Sequence, residues 1–240
     1  MARNNISKLY YKEYYNGVDF EKIFNGIETQ IGDINRKIKD SELVAIPAPI
    51  HGDGYTAFQA ITLYPGLITG VGIEHGSKNI TGGYELGMHF DYTMGMPIIY
   101  GSSVKGVLRS YFKEFYQGEI DANKLIEDIF CGKSDNNKPV YQRDIFFDAV
   151  ITAAPSNGKF LADDSITPHK DGPLKNPIPI VMLKIASGCT IEFRFKLCNS
   201  VIDGIEFTVN EKIALFKEIL TTVGIGAKTN VGYGQLKIAK

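Results

Sequence analysis

The stretch GIGAKTNVGYGQL, residues 224–236, sets glycines at 224, 226, 232 and 234 between an amphipathic pattern and a closing strand-like run, GQLKIAK. Glycine has no Cβ, so it admits left-handed backbone and lets two main chains approach closely. Four glycines in eleven residues therefore dictate how this part of the chain turns. Two readings stand side by side. In one, Gly224 ends the preceding helix in a left-handed C-cap and the other glycines turn the corner. In the other, bare amides together with Lys228, Thr229 and Asn230 face a phosphate at close range. A Walker A loop needs glycine directly before Lys-Thr and a helix after it; here Ala227 precedes Lys228, and a strand follows. The dinucleotide fingerprint fails as well, because Thr229 stands at its third glycine and no strand precedes the loop. The phosphate reading is thereby narrowed to a polynucleotide backbone crossing a surface.

The rest of the chain reads as α+β with a mostly antiparallel sheet. From Ile6 to about Lys39 the pattern is helical, with Phe20, Ile23, Phe24, Ile27, Ile31, Ile34 and Ile38 on one stripe. We assign residues 1–45 to an N-terminal helical segment packed on a domain spanning 46–240. Pro47 and Pro49 close the helical pattern, and AFQAITLYPGLITGVGI begins a sheet. Two insertions are expected, at about 74–95 and 155–179, the second holding five prolines and little periodicity. The spacing predicts a helix over 102–118, capped by Ser102 or Ser103 and stopped by Gly118. Val104, Val107, Leu108, Tyr111, Phe112, Phe115 and Tyr116 lie on its inner face. A short helix DANKLIEDIF and a strand DIFFDAVITAA follow. IVMLKIASG and CTIEFRFKL read as a hairpin turning at Ser187-Gly188. The final helix, NEKIALFKEILTTVG, takes Asn210 as its cap.

Charge confines any nucleic-acid binding to local clusters, since 26 basic residues face 27 acidic ones across 240 positions. Lys105, Arg109 and Lys113 form one such cluster at four-residue spacing. Lys228, Lys237 and Lys240 form a second in an acid-free tail, and the two could converge. A basic helix stripe is equally a solvated face. The three cysteines, Cys131, Cys189 and Cys198, include no C-x-x-C pair, which argues against a disulfide framework and a zinc cluster. No cofactor is expected. The N-terminus lacks a signal-peptide core and no apolar run is long enough to span a bilayer, so a cytoplasmic protein without membrane contact is expected. For catalysis the candidates are the four histidines, His51, His75, His89 and His169, and the acids Asp53, Asp91, Asp163 and Asp164. His89 and Asp91 alternate along extended chain and share a face, which suits a metal or an acid–base pair. Asp163 and Asp164 read as acceptors that order a loop.

GMPIIYGSSVKGVLRSYF, residues 95–112, resembles the segment of the RAMP superfamily in which a proline-containing strand leads through Gly-Ser-Ser into a helix carrying Lys-Gly and Leu-Arg. GIGAKTNVGYGQL is similar to that superfamily's C-terminal glycine-rich loop. FFDAVITAAPSNGKFLADDSITPHK and LGMHFDYTMGMP are similar to the branch found in type III-B CRISPR (Cmr) effectors. The resemblance spans about residues 58–238. It implies a ferredoxin-like, RRM-like core with insertions, and a structural, non-catalytic role near the 3′ end of a guide RNA. The implied partners are guide RNA, target RNA, and backbone RAMP and small helical Cmr subunits. Carried over by position, Ser102, Ser103, Lys105 and Arg109 would hold guide phosphates or organise their helix. Gly224, Gly226, Lys228, Thr229 and Asn230 would shape a second contact. The competing expectation is a metal-dependent endoribonuclease of the same superfamily using Asp91 or Asp53.

Overall fold

The computed structural model describes residues 5–19, 21, 29–48, 52–75, 80, 82–133, 138–167 and 179–239. Phe20, Ile23, Phe24, Ile27, Pro49, His51, His169 and Lys240 lie outside the described residues, as does 168–178 of the second insertion. In chain order the elements are α1 (Ile6–Lys8, running on as a π turn, Leu9–Glu13), α2 (Thr29–Lys39), β1 (Tyr55–Thr62), β2 (Ile98–Ile99), α3 (Gly101–Phe115), α4 (Ala122–Ile126, running on as a π turn, Glu127–Cys131), β3 (Ile145–Phe146), β4 (Ala149–Ala153), β5 (Leu161–Ile166), β6 (Ile180–Ile185), β7 (Thr190–Lys196), β8 (Ser200–Ile202), β9 (Ile205–Phe207), α5 (Val209–Val223) and β10 (Leu236–Ile238).

The main sheet runs β10-β1-β7-β4-β2, antiparallel throughout, with β3 also paired to β7. Alternation along its central strands decides what each face buries. Phe58 and Ala60 of β1 point the same way as Phe193 and Phe195 of β7, and with Phe146 and Phe216 they form the core beneath α3 and α5. On the other face Glu192 accepts from Arg194 Nε at 2.7 Å, and the Arg194 guanidinium donates to the carbonyls of Ile46 and Pro47. The segment leading into β1 therefore crosses that face. Beneath β7 lies a buried ion pair: Lys212 Nζ donates to Asp144 Oδ2 and to the Cys198 carbonyl, each at 2.6 Å. With Asp144 accepting from Cys198 N, both charges are matched, as burial of a lysine requires.

Several expectations change. Ser102 and Ser103 do not cap α3; the helix begins one residue earlier, and the Gly101 amide donates to Asp148 Oδ1 at 2.7 Å. Gly101 occupies that place because a Cβ would strike the Phe146 carbonyl. Gly118 is not the stop either, since Tyr116 already turns extended. Tyr111 faces solvent, so the buried stripe narrows to Val104, Leu108 and Phe112. Asn210 is not the cap of α5: Thr208 accepts from the Glu211 amide, and Glu211 Oε2 accepts from Thr208 N, a full capping box. The hairpin at Ser187-Gly188 does not form. β6 pairs with β5 in a separate two-stranded sheet, while β7 joins the main one. The second insertion also carries more regular structure than its prolines suggested, because β5 lies within it.

The N-terminal tyrosines insert into the first insertion. Tyr10 and Tyr14 are buried, Tyr10 stacks on His75 with ring centres 3.8 Å apart, and Tyr10 and Tyr11 hydroxyls donate to the carbonyls of Leu86 and Met88. Burial raises the Tyr10 and Tyr14 phenols far above their ordinary pKa, so they remain hydrogen-bond donors at every accessible pH. Cys131, Cys189 and Cys198 are free thiols, and burial pushes Cys189 up to about 12.

Candidate nucleic-acid interface

The glycines between α5 and β10 are explained first by the chain's own packing. Gly224, Gly226, Gly232 and Gly234 all have positive φ. A Cβ at Gly224 would lie 2.8 Å from the Gly234 carbonyl, one at Gly226 would strike the Ile68 carbonyl, and one at Gly234 would overlap Ile225 O. The amides of Gly224, Gly232 and Gly234 donate to the carbonyls of Leu220, Thr229 and Gly66, and those of Ile225 and Ala227 to the carbonyls of Gly234 and Ile68. The amides at these positions therefore brace the loop. What the bracing presents is a turn, residues 228–231. Lys228 is exposed in the left-handed conformation, at φ 60°, and Thr229–Val231 form one 3-10 turn, in which Asn230 and Val231 are exposed and Thr229 is half-buried. A lysine held at positive φ is strained relative to glycine by about 1 kcal/mol. The Lys228 side chain makes no hydrogen bond or ion pair with any described residue, so its ammonium is available to a ligand.

The loop's far side is fastened by Asp164 of β5. Its Oδ2 accepts from Tyr233 Oη at 2.7 Å and from Lys184 Nζ, which also lies over the Tyr233 ring. Burial opposes ionisation of this carboxyl, but Lys184, the Tyr233 hydroxyl and the Ser165 amide outweigh it and hold the group below the usual carboxylate range. Its neighbour Asp163 accepts from Tyr84 Oη and Lys39 Nζ. Both aspartates are acceptors, as read from the sequence, although they sit on a strand and not in a loop.

The second basic group lies on α3. Ser102 is exposed and Ser103 half-buried in its first turn; Arg109 and Lys113 are exposed; the Lys105 ammonium sits 5.8 Å from the Phe146 ring centre. α3 leaves the β2 edge of the sheet and the glycine loop enters β10 at the opposite edge. With four strand spacings between those edges, the two starting points are separated by roughly 19 Å. A ligand touching both starting points has to span that distance, which suits an extended polymer better than a mononucleotide. A groove of about 400 Å³ between α3 and α5 is lined by Glu119, Glu206, Glu211 and Glu218 and, among the described residues, by no cationic one, so that surface repels a polyanion.

The endoribonuclease candidates have local employment. Asp91 Oδ1 accepts from Met94 N at 2.6 Å and closes the turn before β2. His89 stacks on Tyr100 with ring centres 4.1 Å apart, and burial lowers its pKa. Asp53 is exposed in the turn before β1. Among the described residues no three His, Cys, Asp or Glu side chains are grouped to hold a metal ion, and no helix is long and apolar enough to cross a membrane.

The family model of the RAMP superfamily matches residues 59–237, from β1 through the glycine loop into β10. The chain belongs to the RAMP superfamily. Among RAMP proteins it is similar to the CRISPR system CMR subunit Cmr6 of Saccharolobus solfataricus, with 32% identity over 161 residues. That match covers 65% of this chain and 50% of the relative, so the chain spans about half the length of that curated protein. In structure it is similar to a chain in the cryo-EM structure of the type III-B Cmr-beta bound to cognate target RNA. There the TM-score is 0.57 at 22% identity, covering 92% of this chain and 72% of the other. A crystal structure of Cmr6 from Pyrococcus furiosus is more distant, with TM-score 0.41 at 18% identity over 77% of this chain and 98% of the other. The RAMP match includes both segments singled out in the sequence. It leaves out the N-terminal tyrosines, whose function in ordering the first insertion sequence reasoning missed, although the run YYKEYY was visible.

Proposed function

We propose that this chain is a non-catalytic, RNA-binding structural subunit of a type III-B CRISPR effector. It contacts the guide RNA backbone near its 3′ end and neighbouring RAMP and small helical subunits. The observation that carries the reading is the braced turn 228–231, which projects an unpaired cation and small polar groups from the glycine loop. The similarity to Cmr6, and to a chain of an effector solved with target RNA, supports the same reading. So does topology. Taken as β1-α3-β4-β7-α5-β10, the chain is a βαββαβ unit with spatial order 4-1-3-2, the arrangement of ferredoxin-like and RRM domains. In such a subunit base pairing reads the sequence, and the protein's part is to grip phosphates. Gly224 and Gly226 then act by shaping the turn, Lys228, Thr229 and Asn230 by touching the strand, and Ser102, Ser103, Lys105 and Arg109 by a second contact along α3.

The test is binding of single-stranded RNA across a salt series by wild type and by Lys228→Ala/Arg109→Ala. For every phosphate that a removed cation had neutralised, binding should weaken and the log–log salt slope should flatten by about 0.7. Unchanged affinity and slope would remove the proposal. Incubation of labelled RNA with divalent metal distinguishes the rival: cleavage abolished in Asp91→Ala would make the chain a nuclease.

A further inference from the structure

We propose that Tyr64 is a stacking platform for one RNA base, set beside the Lys228 turn. This rests on the RNA-binding reading and adds the nucleobase contact that phosphate-gripping groups do not provide. Tyr64 is 86% exposed, the most exposed large apolar side chain among the described residues, and no described residue hydrogen-bonds its hydroxyl.

The backbone beneath it is held rigidly. Leu63 N donates to Gln235 O at 2.9 Å, Gly66 N returns to Leu63 O at 2.8 Å, and Gly66 O accepts from Gly234 N at 2.8 Å. Beyond the turn, Leu67 and Ile185 exchange both amide bonds at 2.9 Å. Pro65 lies against the end of the glycine loop, where a Cβ at Gly232 would come 3.7 Å from its Cδ. The residue that projects the ring is thus pinned to the same loop that projects Lys228.

Chemistry selects the ligand. Tyr64 and Val231, the latter 65% exposed, present apolar surface on two segments packed together, one of which also carries the unpaired Lys228. An aromatic face beside a cation suits a nucleotide, whose base offers a π-face and whose phosphate offers the charge. A ring with only two side-chain torsions loses little entropy when a base settles on it. The pairing is sequence-tolerant, as a guide-holding subunit requires, because every base has such a face.

The protein contains no tryptophan, so Tyr64→Trp introduces a single indole at this position. Titration of that variant with single-stranded RNA should quench the indole while affinity is kept, and Tyr64→Phe should also bind normally. Tyr64→Ala should weaken binding about fivefold or more. A denaturation curve matching wild type shows that the alanine variant is folded. RNA binding that depends on Lys228 but survives Tyr64→Ala, with an unquenched indole, overturns this inference and leaves the RNA-binding reading standing. The same holds if Tyr64→Ala keeps RNA binding and instead releases a protein subunit, for the ring is then a protein contact. Absence of RNA binding in wild type removes both.

Discussion

Gly234 and Gly232 show how differently two glycines of one loop are used. Both have positive φ, at 71° and 99°. Gly234 is backed by the Ile225 carbonyl, whereas Gly232 faces only Pro65 across an ordinary contact distance. Gly232→Ala should therefore cost about 1–2 kcal/mol, the penalty of a left-handed alanine. Gly234→Ala adds a collision with immovable backbone and should cost more than about 3 kcal/mol. Urea denaturation of the two variants measures the difference; equal destabilisation would mean that close packing is not what holds Gly234. The number of glycines announced a constrained loop, but not its partners. Ile68, Gly66 and Pro65 lie more than 150 residues away in sequence, and no local pattern connects them with Gly226, Gly234 and Gly232.

Helices and strands were legible wherever their period was carried by large side chains. The stripe of Ile31, Ile34 and Ile38 appears in α2, and that of Phe216, Ile219 and Leu220 in α5. Ends and pairings were less legible. Asn210 yields the cap to Thr208 because a capping box needs an acid three residues on, and Glu211 stands at that distance from Thr208. Thr208→Ala should lower stability by about 1 kcal/mol. Asn210→Ala, on an exposed helical position, should stay within about 0.5 kcal/mol. Thermal or chemical unfolding of both identifies the true cap. The missing hairpin at Ser187-Gly188 has a similar cause. Thr62 Oγ1 donates to Ala186 O and accepts from Cys189 N, so this turn is bonded to the end of β1 and β6 departs to meet β5. A two-residue turn is suitable for a hairpin but does not compel one.

At the scale of the fold, Asp164 is a fastener between the small sheet and the glycine loop. Its carboxyl is depressed in the folded chain, so the sign follows directly: the stabilisation is complete above the ordinary carboxylate range and disappears as pH falls through the folded value. The stability difference between wild type and Asp164→Asn should accordingly be largest near neutrality and shrink below about pH 4. Urea midpoints at a series of pH values test this, and a constant difference would assign the effect to packing. The electrostatic layout is equally non-local. A chain of net charge −1 separates an acidic groove from an exposed cationic turn. That separation lets a polyanion approach the turn of a nearly neutral protein.

Apolar periodicity was enough to define the α+β class, the amphipathic helices and the glycine-constrained junction, because period and missing Cβ atoms are properties of adjacent residues. The motif order also sufficed to point to RAMP proteins. Only the folded chain decided that the amides of Gly224, Ile225, Ala227, Gly232 and Gly234 are used internally, that Lys228 is left unpaired among the described residues, that α3 and the loop leave opposite edges of the sheet, and that the turn after Tyr64 packs on the glycine loop. Those outcomes depend on contacts between residues far apart in sequence, whose energies no window of neighbouring residues contains.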